Sequence, residues 1–168
     1  MPGNLVGVDT SLTLTSAELT QGKGYSIGNR FTDYQGNEWV YVIAGGSIPQ
    51  YQVVTIFASC TAVNFSSAAV IGTTVAPLAY GISASASIAS GSYGWIMTRG
   101  KSKVRVAASS TGTLSGQLYA EPSANAGLVA ITASGNILLK SLYCIATATT
   151  STTASAVPVV FRDIYTST

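Results

Sequence analysis

Alternation with a period of two runs through this chain and is clearest between residues 37 and 57. Glu38-Trp39-Val40-Tyr41-Val42-Ile43-Ala44 is a β-branched and aromatic run, and Tyr51-Gln52-Val53-Val54-Thr55-Ile56-Phe57 is a second. Successive side chains of a strand point to opposite faces, so Trp39, Tyr41 and Ile43 share one side and Val40 and Val42 the other. Both sides are apolar, which predicts a strand sandwiched inside a barrel or half-buried against another subunit. Gly45-Gly46-Ser47-Ile48-Pro49-Gln50 between the runs reads as a hairpin connection.

Further strands are expected at about 25–32, 68–73, 78–84, 93–98, 103–108, 116–119, 127–132, 138–147 and 156–165. Turn material such as Ser90-Gly91-Ser92 and Ala133-Ser134-Gly135-Asn136 separates them. Many short strands at this spacing predict an all-β chain: a single-domain antiparallel β-barrel or β-sandwich with long Ser/Thr/Ala/Gly-rich loops. Residues 1–24 read as an N-terminal arm or first strand and 25–168 as the barrel or sandwich domain. Ser16-Ala17-Glu18-Leu19 is the one helix-like turn. Proline in Val157-Pro158-Val159-Val160 fits an edge strand or a strand start. Leu78-Ala79-Tyr80-Gly81-Ile82-Ser83-Ala84 and Ser141-Leu142-Tyr143-Cys144-Ile145-Ala146-Thr147 share a Tyr-small-Ile core. The match is either chance or the mark of two strand-loop-strand units that pair across one barrel. The low-complexity tracts Ser83–Ser92 and Thr147–Ala156 read as long loops.

Charge changes the picture. The 168 residues hold eight Lys or Arg, six Asp or Glu and no His, so 8% are charged, against roughly 25% in an ordinary soluble domain. With a net charge of only +2, a free monomer has little protection against association, and assembly into something larger is expected. At this length one compact domain buries roughly 70% of the surface its unfolded chain exposes, without staples. Cys60 and Cys144 are either two buried thiols or a disulfide, and their count excludes a disulfide framework. Met1-Pro2-Gly3-Asn4-Leu5 has neither a basic nor an apolar leader region, so synthesis in a cytoplasm is expected. No apolar run approaches the roughly 18 residues of a spanning helix, although closed outer-membrane barrels give weaker signals.

The residues offer little chemistry. Without histidine the usual triads and the commonest general base are missing. Asp9, Glu18, Asp33, Glu38, Glu121 and Asp163 are scattered singly, with nothing in their spacing to make a glycosidase pair. Two cysteines without histidine do not make an ordinary zinc site. Gly22-Lys23-Gly24 and Arg99-Gly100-Lys101 lie in turns, outside a phosphate-loop context. No cofactor and no enzyme activity are expected.

One charge constellation stands out. Arg99, Lys101, Lys103 and Arg105 hold half of the basic residues, all at odd positions of Arg99-Gly100-Lys101-Ser102-Lys103-Val104-Arg105-Val106. In an extended segment they share one face while Val104 and Val106 face the core. That face is either a solvated surface or a basic stripe for an acidic partner. Nucleic acid is disfavoured, because aromatics are not interleaved with the basic residues. Trp39 and Tyr41 on one strand, and Tyr93, Trp95 and Met97 on another, are either core or a subunit interface.

Three segments carry a resemblance: Gly36-Asn37-Glu38-Trp39-Val40-Tyr41-Val42, Ile48-Pro49-Gln50-Tyr51-Gln52-Val53-Val54, and Gly81-Ile82-Ser83-Ala84 through Ile88-Ala89-Ser90-Gly91-Ser92-Tyr93-Gly94-Trp95-Ile96. They resemble small virion proteins of tailed bacteriophages that are encoded beside the major capsid protein and cement or decorate the head. The likeness covers roughly residues 36–165 and not 1–35. It implies a β-barrel or β-sandwich decoration protein on the capsid exterior, bound at junctions between major capsid subunits, often as a trimer, with no catalytic residue to carry over. The residues assigned to partner contact are Arg99, Lys101, Lys103, Arg105, Trp39, Tyr41 and Trp95, with the arm Met1 to Thr20 as a reaching or strand-adding segment. The alternatives are a receptor-binding or fibre-associated virion protein that contacts glycans, and a carboxylate-based glycanase.

Overall fold

The computed structural model describes residues 8–65, 79–107, 116–120, 128–130, 137–144 and 155–161, in the later strands partly as backbone alone. The chain is all-β, and its described residues form one short helix, α1 (Ser16–Thr20), and ten strands. These are β1 (Arg30–Thr32), β2 (Glu38–Ala44), β3 (Val53–Ile56), β4 (Thr61–Asn64), β5 (Ala79–Ile82), β6 (Tyr93–Val106), β7 (Gly116–Ala120), β8 (Val129–Ala130), β9 (Ile137–Cys144) and β10 (Ser155–Phe161). Among the described residues no helix is long and apolar enough to cross a membrane.

Five strands close a barrel in the order β2-β4-β3-β5-β6 and back to β2. Only the β2–β4 contact is parallel, with Ile43 opposite Thr61 and Ala44 opposite Ala62. The remaining pairs are antiparallel. A second ring runs β6-β8-β7-β9-β10 and returns to β6, and again only its first contact, Val106 opposite Val129, is parallel. The two rings therefore have the same strand topology and share β6, the last strand of the first ring and the first strand of the second. The Tyr-small-Ile echo falls on β5 and β9, the fourth strand of each ring. The two strand-loop-strand units, β5–β6 and β9–β10, pair directly in the second ring, where β10 lies antiparallel to β6.

Sharing one strand requires it to turn over. Trp39 pairs with Met97 and Glu38 with Arg99, leaving Thr98 as the extra residue of a bulge, which reverses the alternation of side chains. Before the bulge the odd residues Trp95 and Met97 enter the larger core; after it the even residues Val104 and Val106 do. Gly100 follows at φ +130°, and a Cβ there would collide with Asn37 Oδ1. The Arg99-Gly100 turn expected from sequence is thus a kink inside one 14-residue strand.

Two cores result. Val40, Val42, Ala44, Val54, Ile56, Ala62 and Ile96 fill the first barrel, and Ile48 and Ile88 close it through a bridge between the two long loops. Residues 45–50 are consequently not a hairpin: β4 intervenes between β2 and β3. The second core joins the outer face of the first barrel, Trp39, Tyr41, Trp95 and Met97, to Val104, Val106, Val129 and Val159 of the second ring. Strand β2 is thus buried on both faces within one chain.

Other expectations shift for local reasons. Of the strand expected at 25–32 only Arg30–Thr32 is regular strand; Gly28 turns the backbone at φ +85°, although Gly28 and Asn29 still hydrogen-bond to Tyr41. Strand β4, four residues long, carries no sequence signal strong enough to separate it from a loop. The expected strand at 68–73 lies outside the described residues. Pro158 is neither on an edge strand nor at a strand start: β10 lies between β6 and β9, and Pro158 stands in its middle, opposite Lys103. Lys101 N–H and Arg105 N–H both donate away from β10, so Lys103 between them points the same way. Its partner Pro158 has no N–H to lose there.

Candidate partner surface

The basic stripe is a single exposed strand face. Lys101 and Lys103 are exposed and Arg105 is half-buried, while Val104 and Val106 between and beyond them are buried. Arg99 is set apart by the bulge: its Nη1 meets Glu38 Oε1 at 3.1 Å across the β2–β6 pair. An ion pair this exposed contributes little to stability. Lys101, Lys103 and Arg105 form no ion pair with a described residue.

Beside the stripe stands the β1–β2 hairpin, ordered by one carboxylate. Asp33 Oδ1 accepts from the N–H groups of Gln35 and Asn37, and Oδ2 accepts from Asn37 Nδ2 and Trp39 Nε1. Desolvation pushes this carboxyl up, but the hydrogen bonds from Asn37, Trp39 and Gln35 outweigh it and hold Asp33 below the ordinary carboxylate range. Asn37 in turn accepts the Lys101 N–H at 3.1 Å, tying hairpin to stripe. At the tip, Tyr34 is 96% exposed. A shallow cleft of about 530 Å³ lies between hairpin and stripe, lined by Tyr34, Gln35, Tyr51, Lys101, Ser102 and Lys103 among others. Tyr51 sits there at φ +65°, a costly conformation for a non-glycine residue. Its N–H donates to Ser83 O and its carbonyl accepts from Arg105 N–H, both at 2.8 Å.

The aromatic contact residues are corrected. Trp39, Tyr41 and Trp95 are 6%, 0% and 3% exposed, spent on the core and not on a surface of this chain. Tyr25 stands edge-on to both Tyr41 and Trp95, and Phe31 to Trp95, with ring centroids 5.0 to 6.3 Å apart. Burial, then the neighbouring Tyr93 and Tyr25, pushes the Tyr41 hydroxyl up. Val8 and Leu19, of the segment read as an arm, pack beside Tyr25 and Phe31 on this core. From Val8 onward the segment folds back on its own barrel, with Leu14 buried and exchanging two backbone hydrogen bonds with Tyr93. Thr15 and Glu18 form a capping box that starts α1. Residues 1–7 lie outside the described part.

Cys60 is a free, half-buried thiol in the β3–β4 turn at φ +56°, not a strand residue, so it forms no disulfide with Cys144. Cys144 lies in β9, described there as backbone only. The described carboxylates are each engaged locally: Asp9 with Ser11, Glu18 with Thr15, Asp33 within its hairpin and Glu38 with Arg99. Glu121 and Asp163 lie outside the described residues. Among the described residues no group of His, Cys, Asp and Glu is arranged to hold a metal ion.

No protein-family model matches the chain, and no curated protein sequence matches it. Sequence reasoning found the stripe but not the hairpin beside it. Asp33 and Asn37 look like ordinary turn residues, and only Asp-x-x-Gly-Asn flanked by strand residues hinted that one carboxylate closes the turn.

Proposed function

We infer that this chain is a structural virion protein that decorates the outside of a tailed-phage capsid and bridges major capsid subunits, acting as an oligomer with a trimer favoured. The observation that carries the reading is the face of Lys101, Lys103 and Arg105: three cations on one strand, without an acidic partner among the described residues, in a chain of which only 8% of the residues are charged. A surface of this kind serves association, since complementary charge sets encounter and register more than raw affinity. The segments that resemble phage head proteins support the same reading, and the reading needs no catalytic residue.

The mechanism is mass action. A protein that binds the assembled shell and not its separated subunits adds its binding free energy to the shell, and many copies multiply a modest gain per site. Quantitative mass spectrometry of gradient-purified virions tests this. A ratio to the major shell subunit near one, or a simple fraction such as one-third, is expected. A handful of copies per particle, or none, overturns the reading and moves the protein to the tail or out of the virion. Reversing Lys101 and Arg105 to Glu weakens shell binding while leaving the fold intact; unchanged binding at moderate salt would remove the stripe from the mechanism.

A further inference from the structure

The two rings share a topology, yet one position that is filled in the first is open in the second. Superposing the strand order places Tyr41 of β2 at the position of Lys103 in β6, because Ala44 and Val106 occupy the same place in the two parallel contacts. In the first ring the outer edge of Tyr41 is taken: its N–H donates to Asn29 O at 2.9 Å and its carbonyl accepts from Gly28 N–H at 2.8 Å. Strand β1 continues that pairing along Val40, Trp39 and Glu38. Among the described residues the matching edge of β6 in the second ring meets other segments only at its two ends, through Asn37 Oδ1 at Lys101 and Tyr51 O at Arg105, while the Lys103 carbonyl accepts from the adjacent Ser102 Oγ at 3.2 Å. Between them the Lys103 N–H points into the cleft and meets no described acceptor.

The geometry points to a strand-accepting slot: an extended, acidic peptide segment of another protein lies in this cleft, pairs its backbone with Lys103 as residues 28–29 pair with Tyr41, and sets carboxylates against Lys101 and Lys103. Backbone pairing supplies affinity in such strand addition, and alternate side chains supply specificity. The charge of the rim selects the acidic character of the occupant. A cleft of about 530 Å³ is wide enough for a few extended residues, and Tyr34 on its wall offers an exposed ring to pack on them. That the segment belongs to the shell protein rests on the reading above; the slot itself does not.

The test uses the full chain without any particle, so its failure is distinct from a failed copy-number measurement. Amide exchange and chemical shifts of the ¹⁵N-labelled protein are followed with a short peptide alternating Glu and Val, with its Gln-for-Glu twin, and with oligo-dT. In the free chain the Lys103 amide exchanges fast while that of Tyr41 is protected. The Glu/Val peptide slows the Lys103 amide by roughly tenfold or more and the Gln/Val twin does not. The variant Lys101→Glu/Lys103→Glu loses this response with its other resonances in place. Three results each overturn the proposal: a Lys103 amide already as protected as Tyr41, equal response to the two peptides, or a larger response to oligo-dT. If the double variant misfolds, the wild-type chain decides, because a peptide response that does not weaken with added salt also overturns it.

Discussion

Along the first strand of the first ring the outward side chains are Trp39 and Tyr41; at the matching positions of the second ring they are Lys101 and Lys103. One topology thus carries two surfaces of opposite character. The first is covered by residues 8–32 of the same chain, which lay Leu19, Tyr25 and Phe31 over the aromatic face. The second is left exposed. The difference teaches that strand order does not decide which face of a barrel is core. Ring position fixes where a side chain stands, and the residue placed there decides whether the chain or something else covers it.

The largest break in this comparison comes from truncating the aromatic side. Trp95 touches Tyr25, Phe31 and Tyr41 at once, and removing a buried tryptophan costs about 3–5 kcal/mol. Against a total stability of about 5–15 kcal/mol, Trp95→Ala brings the chain close to unfolding. At the open position, Lys103→Ala changes stability by no more than about 0.5 kcal/mol. Chemical denaturation of the two variants measures the contrast directly. Equal losses would mean that the stripe is structural and that the two rings are alike after all.

That contrast also marks how far the sequence could be read. Both-faces-apolar β2 and the odd-numbered basic stripe are legible because alternation within one strand is local information. The bulge at Thr98 is not, since it exists only through the pairing of Glu38 with Arg99. Without it, 93–98 and 103–108 read as two strands and Arg99-Gly100 as a turn. The aromatic residues were readable as core by default with an interface as the alternative, because what settled them was the cover by Leu19, Tyr25 and Phe31, a long-range contact with no periodic signal. Strand β4 and the exchange of strand order around it escaped for a related reason: Thr61 and Ala62 pair in parallel with distant β2, and the Phe57-Ala58-Ser59-Cys60 turn that folds β4 back on β3 holds no glycine, proline or asparagine to mark it.

The seam between the rings gives a second, smaller effect. Gly100 combines φ +130° with the close approach of Asn37 Oδ1, so Gly100→Ala meets both backbone strain and a steric conflict and costs about 3 kcal/mol. Gly36, on the same hairpin, has φ +80° but open space around its Cβ position, and Gly36→Ala costs only about 1 kcal/mol. The ratio of the two losses in urea unfolding reports how tightly hairpin and strand are keyed together. If Gly100→Ala proves as mild as Gly36→Ala, the kink is not what holds the second half of β6 in place.

The smallest effect is a pH dependence that separates the hairpin from both cores. Asp33 has its carboxyl held below the ordinary range by hydrogen bonds from Asn37, Trp39 and Gln35 that outweigh its desolvation. A depressed folded-state value means that the unfolded chain binds the proton more readily, so stability rises with pH through the acid limb. The contribution is present above the unfolded carboxyl value of about 3.9 and is lost as pH falls through the lower folded value. Asp33→Asn keeps one acceptor for the Gln35 and Asn37 N–H groups but sets an amide against the donors of Asn37 and Trp39. It lowers stability at neutral pH by about 1–2 kcal/mol. It also flattens the acid limb without abolishing it, because Asp9 and Glu18 are lowered too, by Ser11 and Thr15 respectively. Unfolding free energies of wild type and Asp33→Asn that converge as pH falls would place the hairpin under Asp33's control; parallel curves would assign the order of the hairpin to the Asn37 contact with Lys101 instead.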